Sequence, residues 1–124
     1  MAALRLAVIA LMIGCISLQV VACTTLALSG AKRYKTEMNN VLLNAQRDFE
    51  KDGAVSATTK GKMEKLLTKY QTEFGEKGSY MRFKEMYDLI VEAEAKPNEA
   101  FQKYQVAMQK KSDAEGYLTT EIMD

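Results

Sequence analysis

Apolar residues recur at helical spacing in four blocks of the chain after residue 31, and none of these blocks alternates with a period of two. The four stripes are Met38, Val41, Leu42, Ala45 and Phe49; Met63, Leu66, Leu67, Tyr70 and Phe74; Tyr80, Phe83, Met86, Tyr87, Ile90 and Val91; and Phe101, Tyr104, Ala107 and Met108. This spacing predicts four amphipathic helices and no β-sheet.

Breakers and caps separate the four blocks. Gly53 fits a left-handed helix end, and Pro97 fits the first turn of a new helix. We predict an N-cap for the second helix at Ser56, Thr58 or Thr59, and one for the third helix at Ser79. Because the links are short, neighbouring helices should run antiparallel. The fold class is therefore predicted as all-α, with a three- or four-helix bundle at residues 32–112 and a frayed C-terminal tail at 113–124.

The N-terminal segment has a different pattern, because residues 6–31 carry no charged side chain. A cation at Arg5 followed by an apolar run is the layout of an export signal. Within this run, Ala22-Cys23 resembles the bacterial lipobox, in which a small residue precedes a cysteine that is lipidated. The resemblance covers only the N-terminus. It implies that Cys23 is the lipidation site and that the body is periplasmic or otherwise extracytoplasmic.

The same segment permits two other interpretations. Residues 6–31 exceed the ~20 apolar residues that a membrane-spanning helix needs. For an uncleaved helix, Lys32, Arg33 and Lys35 would be surface anchors on one side and Arg5 on the other, and the positive-inside rule would place the body in the cytoplasm. An ordinary cleaved signal ending near Ala31 would instead release a soluble protein. In both of the leading interpretations, residues 1–31 are a membrane anchor and membrane lipid is a partner.

Composition excludes most kinds of chemistry. The chain has no histidine, and both cysteines lie before residue 31, so the body lacks the commonest general base and any thiol nucleophile. All 16 acidic residues and all basic residues except Arg5 follow Ala31, which gives the body 16 charges of each sign. A neutral body of this kind does not favour nucleic-acid binding. We expect no enzymatic activity and no cofactor.

One segment resembles a metal site. Counted from Asp48, the oxygen-bearing residues Asp48, Glu50, Asp52 and Ser56 stand at positions 1, 3, 5 and 9 of an EF-hand calcium loop, with Gly53 at position 6. The twelfth position, however, holds a threonine where the EF-hand has a bidentate glutamate. A helix end, a turn and a serine or threonine cap explain the same residues without calcium, so this is a weak calcium candidate and no metal is predicted.

These features favour a membrane-anchored, non-enzymatic accessory or scaffolding subunit of a larger membrane or envelope assembly, with protein partners. The alternative is an exported lipoprotein-type carrier that binds a small ligand or a metal between its helices. A subunit should leave apolar residues such as Leu43, Val106 or Tyr117-Leu118 exposed for a partner. A carrier should enclose a cavity lined by its apolar stripes.

Overall fold

The computed structural model describes residues 30–122, and all regular structure within them is helical. Helix α1 occupies residues 30–52, α2 spans Ala57–Phe74 and α3 spans Gly78–Ala95. A 3₁₀ turn at Pro97–Glu99 leads into α4, Ala100–Glu121. The prediction of an all-helical bundle is thereby confirmed. The predicted anchor, with Arg5 and Cys23, lies outside the described residues; between residues 30 and 122 no helix combines the length and the apolar character needed to cross a membrane.

One compact unit is Tyr34–Asp124, which contains α2, α3, α4 and α1 from Tyr34 onward. Side-chain contacts show that α1 lies beside α2 and α4, and that α3 lies beside α2 and α4. In each neighbouring pair, residues late in one helix contact residues early in the other, so the neighbours are antiparallel. The contacts that define this arrangement are Glu37–Lys69 and Asp48–Thr59, Lys60–Glu94 and Leu67–Tyr80, Glu92–Lys103 and Gly78–Glu121, and Gln46–Lys111 and Phe49–Phe101.

The core consists mainly of the apolar stripes that the sequence predicts. Six stripe residues are exceptions: Phe49, Leu67, Tyr87 and Met108 are only half-buried, and Val91 and Phe101 are exposed. Tyr34 and Val55 belong to the core as well, although neither stands on a predicted stripe. The largest fully buried side chains are Tyr34, Phe83, Met38, Leu42, Met63, Met86, Ile90 and Leu118. With these side chains inside, the centre of the bundle is filled with apolar groups.

The turn between α1 and α2 follows the local sequence signals, whereas the start of α3 does not. Gly53 has a φ of 70°, in the left-handed region that favours glycine, and its N–H donates to the carbonyl of Phe49. Ser56 is the N-cap of α2, and its side chain accepts a hydrogen bond from the N–H of Thr59. The prediction that Ser79 caps α3 is wrong. Helix α3 begins one residue earlier, at Gly78, and Ser79 is a buried residue inside it.

The C-terminal region also differs from the prediction of a frayed tail at 113–124. Helix α4 continues without a break to Glu121, and Ala114, Leu118 and Ile122 are buried. These three residues are spaced four apart and therefore lie along one face of the helix, where they extend the core. The stripe is inconspicuous in the sequence because alanine is small and because polar residues surround Leu118.

Candidate functional site

The weak calcium candidate lies in the turn between α1 and α2, where the carboxylate of Asp48 serves as an acceptor for the protein's own donors. Asp48 Oδ2 accepts hydrogen bonds from Thr59 Oγ1 at 2.6 Å, Ser56 Oγ at 2.7 Å and the Ser56 N–H at 3.1 Å. Burial opposes the charged form, but these hydrogen bonds and the nearby charge of Lys51 together lower the pKa of Asp48. Asp48 thus fixes the start of α2 to the end of α1.

Glu50 and Asp52, the other two acids of the candidate calcium loop, do not join Asp48 and Ser56. Glu50 Oε1 accepts a hydrogen bond from Gln46 Nε2 one turn earlier in α1, and Asp52 is exposed. Ser56 Oγ is already engaged in the cap. Across residues 30–122, no three Asp, Glu, His or Cys side chains form a group that could hold a metal ion.

Tyr34 is buried at the end of the bundle opposite the α1–α2 turn, and the sequence did not predict its role. Tyr34 Oη and Ser79 Oγ are joined by a hydrogen bond of 2.7 Å, and the Tyr34 ring stacks on Phe74 with centroids 4.1 Å apart. Burial, together with the negative charge of Glu121, raises the pKa of Tyr34 to about 12. The hydroxyl is therefore neutral at physiological pH, and its role is structural. The only sequence signal is the spacing of Tyr34 one turn before Met38.

Glu121 completes this end of the bundle. Its carboxylate accepts hydrogen bonds from the N–H groups of Gly78 at 2.7 Å and Ser79 at 3.2 Å. Two free N–H groups at the start of α3 are therefore capped by a residue from the end of α4, which is favourable next to the positive end of the helix dipole. This contact explains why α3 needs no capping side chain of its own.

The surface along α3 and α4, which we call the α3–α4 seam, carries paired charges. Glu85 contacts Arg82 at 2.9 Å and Lys110 at 3.1 Å, and Glu92 contacts Lys103 at 3.2 Å. The cations Lys110 and Arg82 lower the pKa of Glu85, although its partial burial acts in the opposite direction. Glu85 and Glu92 of α3 thus pair with cations of α4, whereas Glu94 of α3 pairs with Lys60 of α2, at 2.5 Å.

The surface between α1 and α2 is an open groove of about 540 Å³, which we call the α1–α2 groove. Its lining combines apolar, amide and basic groups, with one acid at the end nearest Lys69. The residues that line it are Glu37, Asn40, Val41, Leu43, Asn44, Arg47, Lys62, Lys65 and Leu66. Within the described part of the chain, Arg47, Lys62 and Lys65 have no ion pair or hydrogen bond through their side chains. The sequence shows these lysines but not that they lack partners.

Three of the four apolar residues that distinguish a subunit from a carrier are exposed. Leu43 is 44% exposed, Val106 is 41% exposed and Tyr117 is 40% exposed, whereas Leu118 is fully buried in the core. Tyr117 is partly shielded by Arg82, whose guanidinium lies 5.7 Å from the ring centroid. Leu43 borders the α1–α2 groove on one side and a second open groove, between α1 and α4, on the other.

Of the predicted membrane-surface anchors, Lys32 and Arg33 are exposed and Lys35 is half-buried. Arg5 and Cys23 lie outside the described residues. Comparisons of the chain with protein-family models, with curated proteins and with solved structures found no match.

Proposed function

We propose that this protein is a membrane-anchored, non-enzymatic accessory or scaffolding subunit of a larger membrane or envelope assembly. Residues 1–31 would hold it at the membrane, through lipidated Cys23 or through an uncleaved helix. The helical bundle would then contact a protein partner. Membrane lipid and a protein complex are the two partners of this proposal.

The observation that carries the proposal is the position of Leu43. A leucine that leaves almost half of its side chain in water, between two open grooves, loses hydrophobic stabilisation that a partner could supply. Single exposed apolar residues are common on soluble domains. Leu43 differs because the surface around it also holds cations without partners. An exposed apolar side chain and cations without ion pairs therefore lie side by side there, as at a protein interface.

The filled core supports a subunit over the alternative carrier. A carrier needs an enclosed space between its helices, and here that space is taken by side chains such as Phe83, Met86 and Met63, which are fully buried. Three pockets of about 500–540 Å³ on the described residues are surface grooves open to solvent. A small ligand in such a groove would keep much of its surface in water, whereas a protein segment can cover the groove along its length.

The non-enzymatic part of the proposal rests on the side chains that are available. The body offers no histidine and no cysteine. The tyrosine with the most strongly raised pKa, Tyr34, is inaccessible and bonded to Ser79. The carboxylates in the described residues with lowered pKa values, Asp48 and Glu85, are engaged with the protein's own donors and cations. A general acid or base needs a pKa near the working pH, and these groups are shifted away from it.

The first experiment establishes the anchor. Intact-mass measurement of the protein extracted from membranes should give a chain that begins at Cys23 and carries acyl groups, or else the full chain from Met1 to Asp124. The first mass establishes a lipoprotein, and the second establishes an uncleaved helix. A chain that begins near residue 32 without acyl groups would contradict the proposed anchor.

The second experiment tests the subunit. Residues 1–31 are replaced by a cleavable soluble export signal, or simply deleted if the body is cytoplasmic. The untethered bundle should remain folded, because its core begins at Tyr34. Co-purification with a membrane complex should fall, because tethering raises the effective concentration at the membrane. If neither the tethered nor the untethered form co-purifies with any protein, the subunit proposal is wrong.

A further inference from the structure

Helix α2 carries four lysines on its surface, and they divide into two pairs with different surroundings. Lys60 pairs with Glu94 of α3, and Lys69 pairs with Glu37 of α1. Lys62 and Lys65, which lie between them in sequence, both line the α1–α2 groove. Opposite them α1 presents Arg47, two asparagines and, at the end nearest Lys69, Glu37, which already pairs with Lys69. The groove therefore collects three cations that have no ion pair within the described bundle.

The apolar part of this groove lies between the cations. Val41 and Leu66 are buried at its floor, and Leu43 is exposed at its edge. On α1, the lining runs from Glu37 to Arg47, which is about 15 Å or nearly three helical turns. A short amphipathic helix can place its apolar side in a groove of this length and its charged flanks against the rim.

The charges on the rim determine what kind of occupant fits. The occupant needs acidic side chains beside its apolar stripe, since they would neutralise Arg47, Lys62 and Lys65. The undescribed residues of this chain do not meet that requirement, because residues 1–29 and 123–124 contain a single acid, Asp124. A segment from outside the chain has to supply the negative charge.

A second copy of the chain fits the groove poorly. The acids in the described bundle that lack a hydrogen bond or ion pair are spread over all four helices and two links, so they form no single acidic face. They are Asp52, Glu73, Glu76, Asp88, Glu99 and Asp113. An anionic membrane surface also fits poorly, because lipid-binding patches usually hold about four to eight clustered cations. Here three cations line a concave surface with an apolar floor.

We infer that the α1–α2 groove is the docking site for an acidic amphipathic helix of a partner protein. The inference rests on the proposed function and names the surface and the partner chemistry through which the subunit would act. Leu43 and Leu66 contact the apolar stripe of the partner helix, and Arg47, Lys62 and Lys65 pair with its acids. Such pairs add specificity and speed to association, and the apolar contact adds affinity.

The test uses the full-length chain, expressed in its own cells with a photoreactive residue in place of Leu43. A second version carries the photoreactive residue in place of Val106, which is similarly exposed but lies on α4. After irradiation, the cross-linked peptides are sequenced by mass spectrometry. We expect the Leu43 probe to yield a covalent adduct with a segment of another protein that is acidic and amphipathic at helical spacing.

Charge reversal provides the matched control. Lys62→Glu with Lys65→Glu should reduce the yield of the adduct about tenfold, which corresponds to about 1.4 kcal/mol of binding free energy. Lys77→Glu with Lys96→Glu makes the same change in net charge at two exposed lysines outside the groove, and it should leave the yield unchanged. Equal melting temperatures of the two double variants show that both are folded. Replacing the acids of the cross-linked segment with lysine should restore the adduct to the Lys62→Glu, Lys65→Glu variant.

Each other outcome overturns the inference. An adduct with lipid assigns the groove to the membrane, and an adduct with a second copy assigns it to self-association. A yield that is insensitive to Lys62→Glu and Lys65→Glu removes the electrostatic part and with it the acidic partner. An adduct from the Val106 probe alone refutes the groove but leaves the subunit proposal intact. If neither probe cross-links to protein and co-purification also fails, the subunit proposal is wrong as well.

Discussion

The α3–α4 seam and the α1–α2 groove are both surfaces between antiparallel helices, but they differ in whether their charged side chains form ion pairs. In the seam, Glu85 lies between Arg82 and Lys110, and each of these charged groups has a partner of opposite sign. In the groove, Lys62 and Lys65 have none among the described residues. A body with a formal charge of zero can therefore present one neutralised surface and one positively charged surface. Net charge alone conceals this difference.

Register explains the difference between the two surfaces. Lys103 and Lys110 are seven residues apart on α4, and they meet Glu92 and Glu85, which are seven apart on α3. Antiparallel packing brings both pairs together at once. In the groove, the residues of α1 that line the wall opposite the α2 lysines include Asn40 and Asn44, which cannot form ion pairs. The α1–α2 pair is instead fastened at its ends, by Glu37–Lys69 and by the Asp48 cap.

The largest expected effect is the difference in stability between a substitution at the floor of the α1–α2 groove and one at its rim. Leu66→Asp should unfold the bundle, because a buried unpaired carboxylate costs several kcal/mol against a total stability of roughly 5–10 kcal/mol. Lys65→Asp, at the neighbouring exposed position, should change the free energy of unfolding by less than about 0.5 kcal/mol. Thermal melting followed by circular dichroism measures both. A cooperative melt of Leu66→Asp near the temperature of the unmodified protein would mean that the groove has no packed floor.

The same experiment sharpens a prediction from the sequence. The apolar spacing places Leu67 on the core-facing stripe, where Leu67→Asp should unfold the protein. In the structure Leu67 is half-buried, and it borders an open groove between α2 and α3. We now expect Leu67→Asp to lower the melting temperature by less than Leu66→Asp does.

A pair of glycine substitutions compares the end of the seam with the outer surface of α2. A Cβ atom on Gly78 would lie 2.8 Å from Glu121 Oε1 and 2.8 Å from Tyr117 Cδ1, so Gly78→Ala should displace the cap and destabilise the protein by about 1–2 kcal/mol. Gly61 has no atom within 4 Å of such a Cβ. Gly61→Ala should therefore stabilise α2 by about 0.5–1 kcal/mol. Urea denaturation gives both values, and equal signs would refute the tight contact at Gly78.

The Asp48 cap, which joins α1 to α2, should make the stability of the protein depend on pH. Because hydrogen bonds lower the pKa of Asp48 in the folded state, its stabilising effect is present above its unfolded pKa of about 4 and is lost as the pH falls through the lower folded pKa. Asp48→Asn should cost about 1 kcal/mol at pH 7, and the difference from the unmodified protein should shrink below about pH 4. Urea denaturation at pH 7, 5 and 3 measures this. Asp52→Asn, at an exposed position, is the control and should show no such trend.

The smallest expected effect comes from reversing single charges on the two surfaces. Glu85→Lys puts a third cation between Arg82 and Lys110 and should lower stability by about 0.5–1 kcal/mol, with a smaller effect at high salt. Lys65→Glu breaks no ion pair in the described bundle and should leave stability unchanged within a few tenths of a kcal/mol. Melting at low and high salt tests this contrast. Equal losses from the two variants would show that the seam and the groove do not differ.

Local features of the fold were predictable because short stretches of the chain determine them. Helical spacing identifies four helices, and Gly53 and Ser56 provide the turn and the cap between α1 and α2. The Ser79 prediction failed because the residue that caps α3 is Glu121, 43 positions away from Gly78 in the chain. Tyr34 was missed for the same reason, since its partner Ser79 is 45 positions away. The tail prediction failed because a buried face made of Ala114 and Leu118 resembles an exposed one in sequence.

The sequence by itself determined the helical class, the apolar stripes and the neutral charge of the body, because periodicity, turn chemistry and composition need no knowledge of distant contacts. It also identified Leu43, Val106 and Tyr117 as apolar residues that could remain outside the core. Only the tertiary structure decided which cations form ion pairs with acidic side chains. That choice depends on how four helices are aligned with one another, and a shift of one turn would change every ion pair between helices. The charged groove beside Leu43 is a consequence of that alignment.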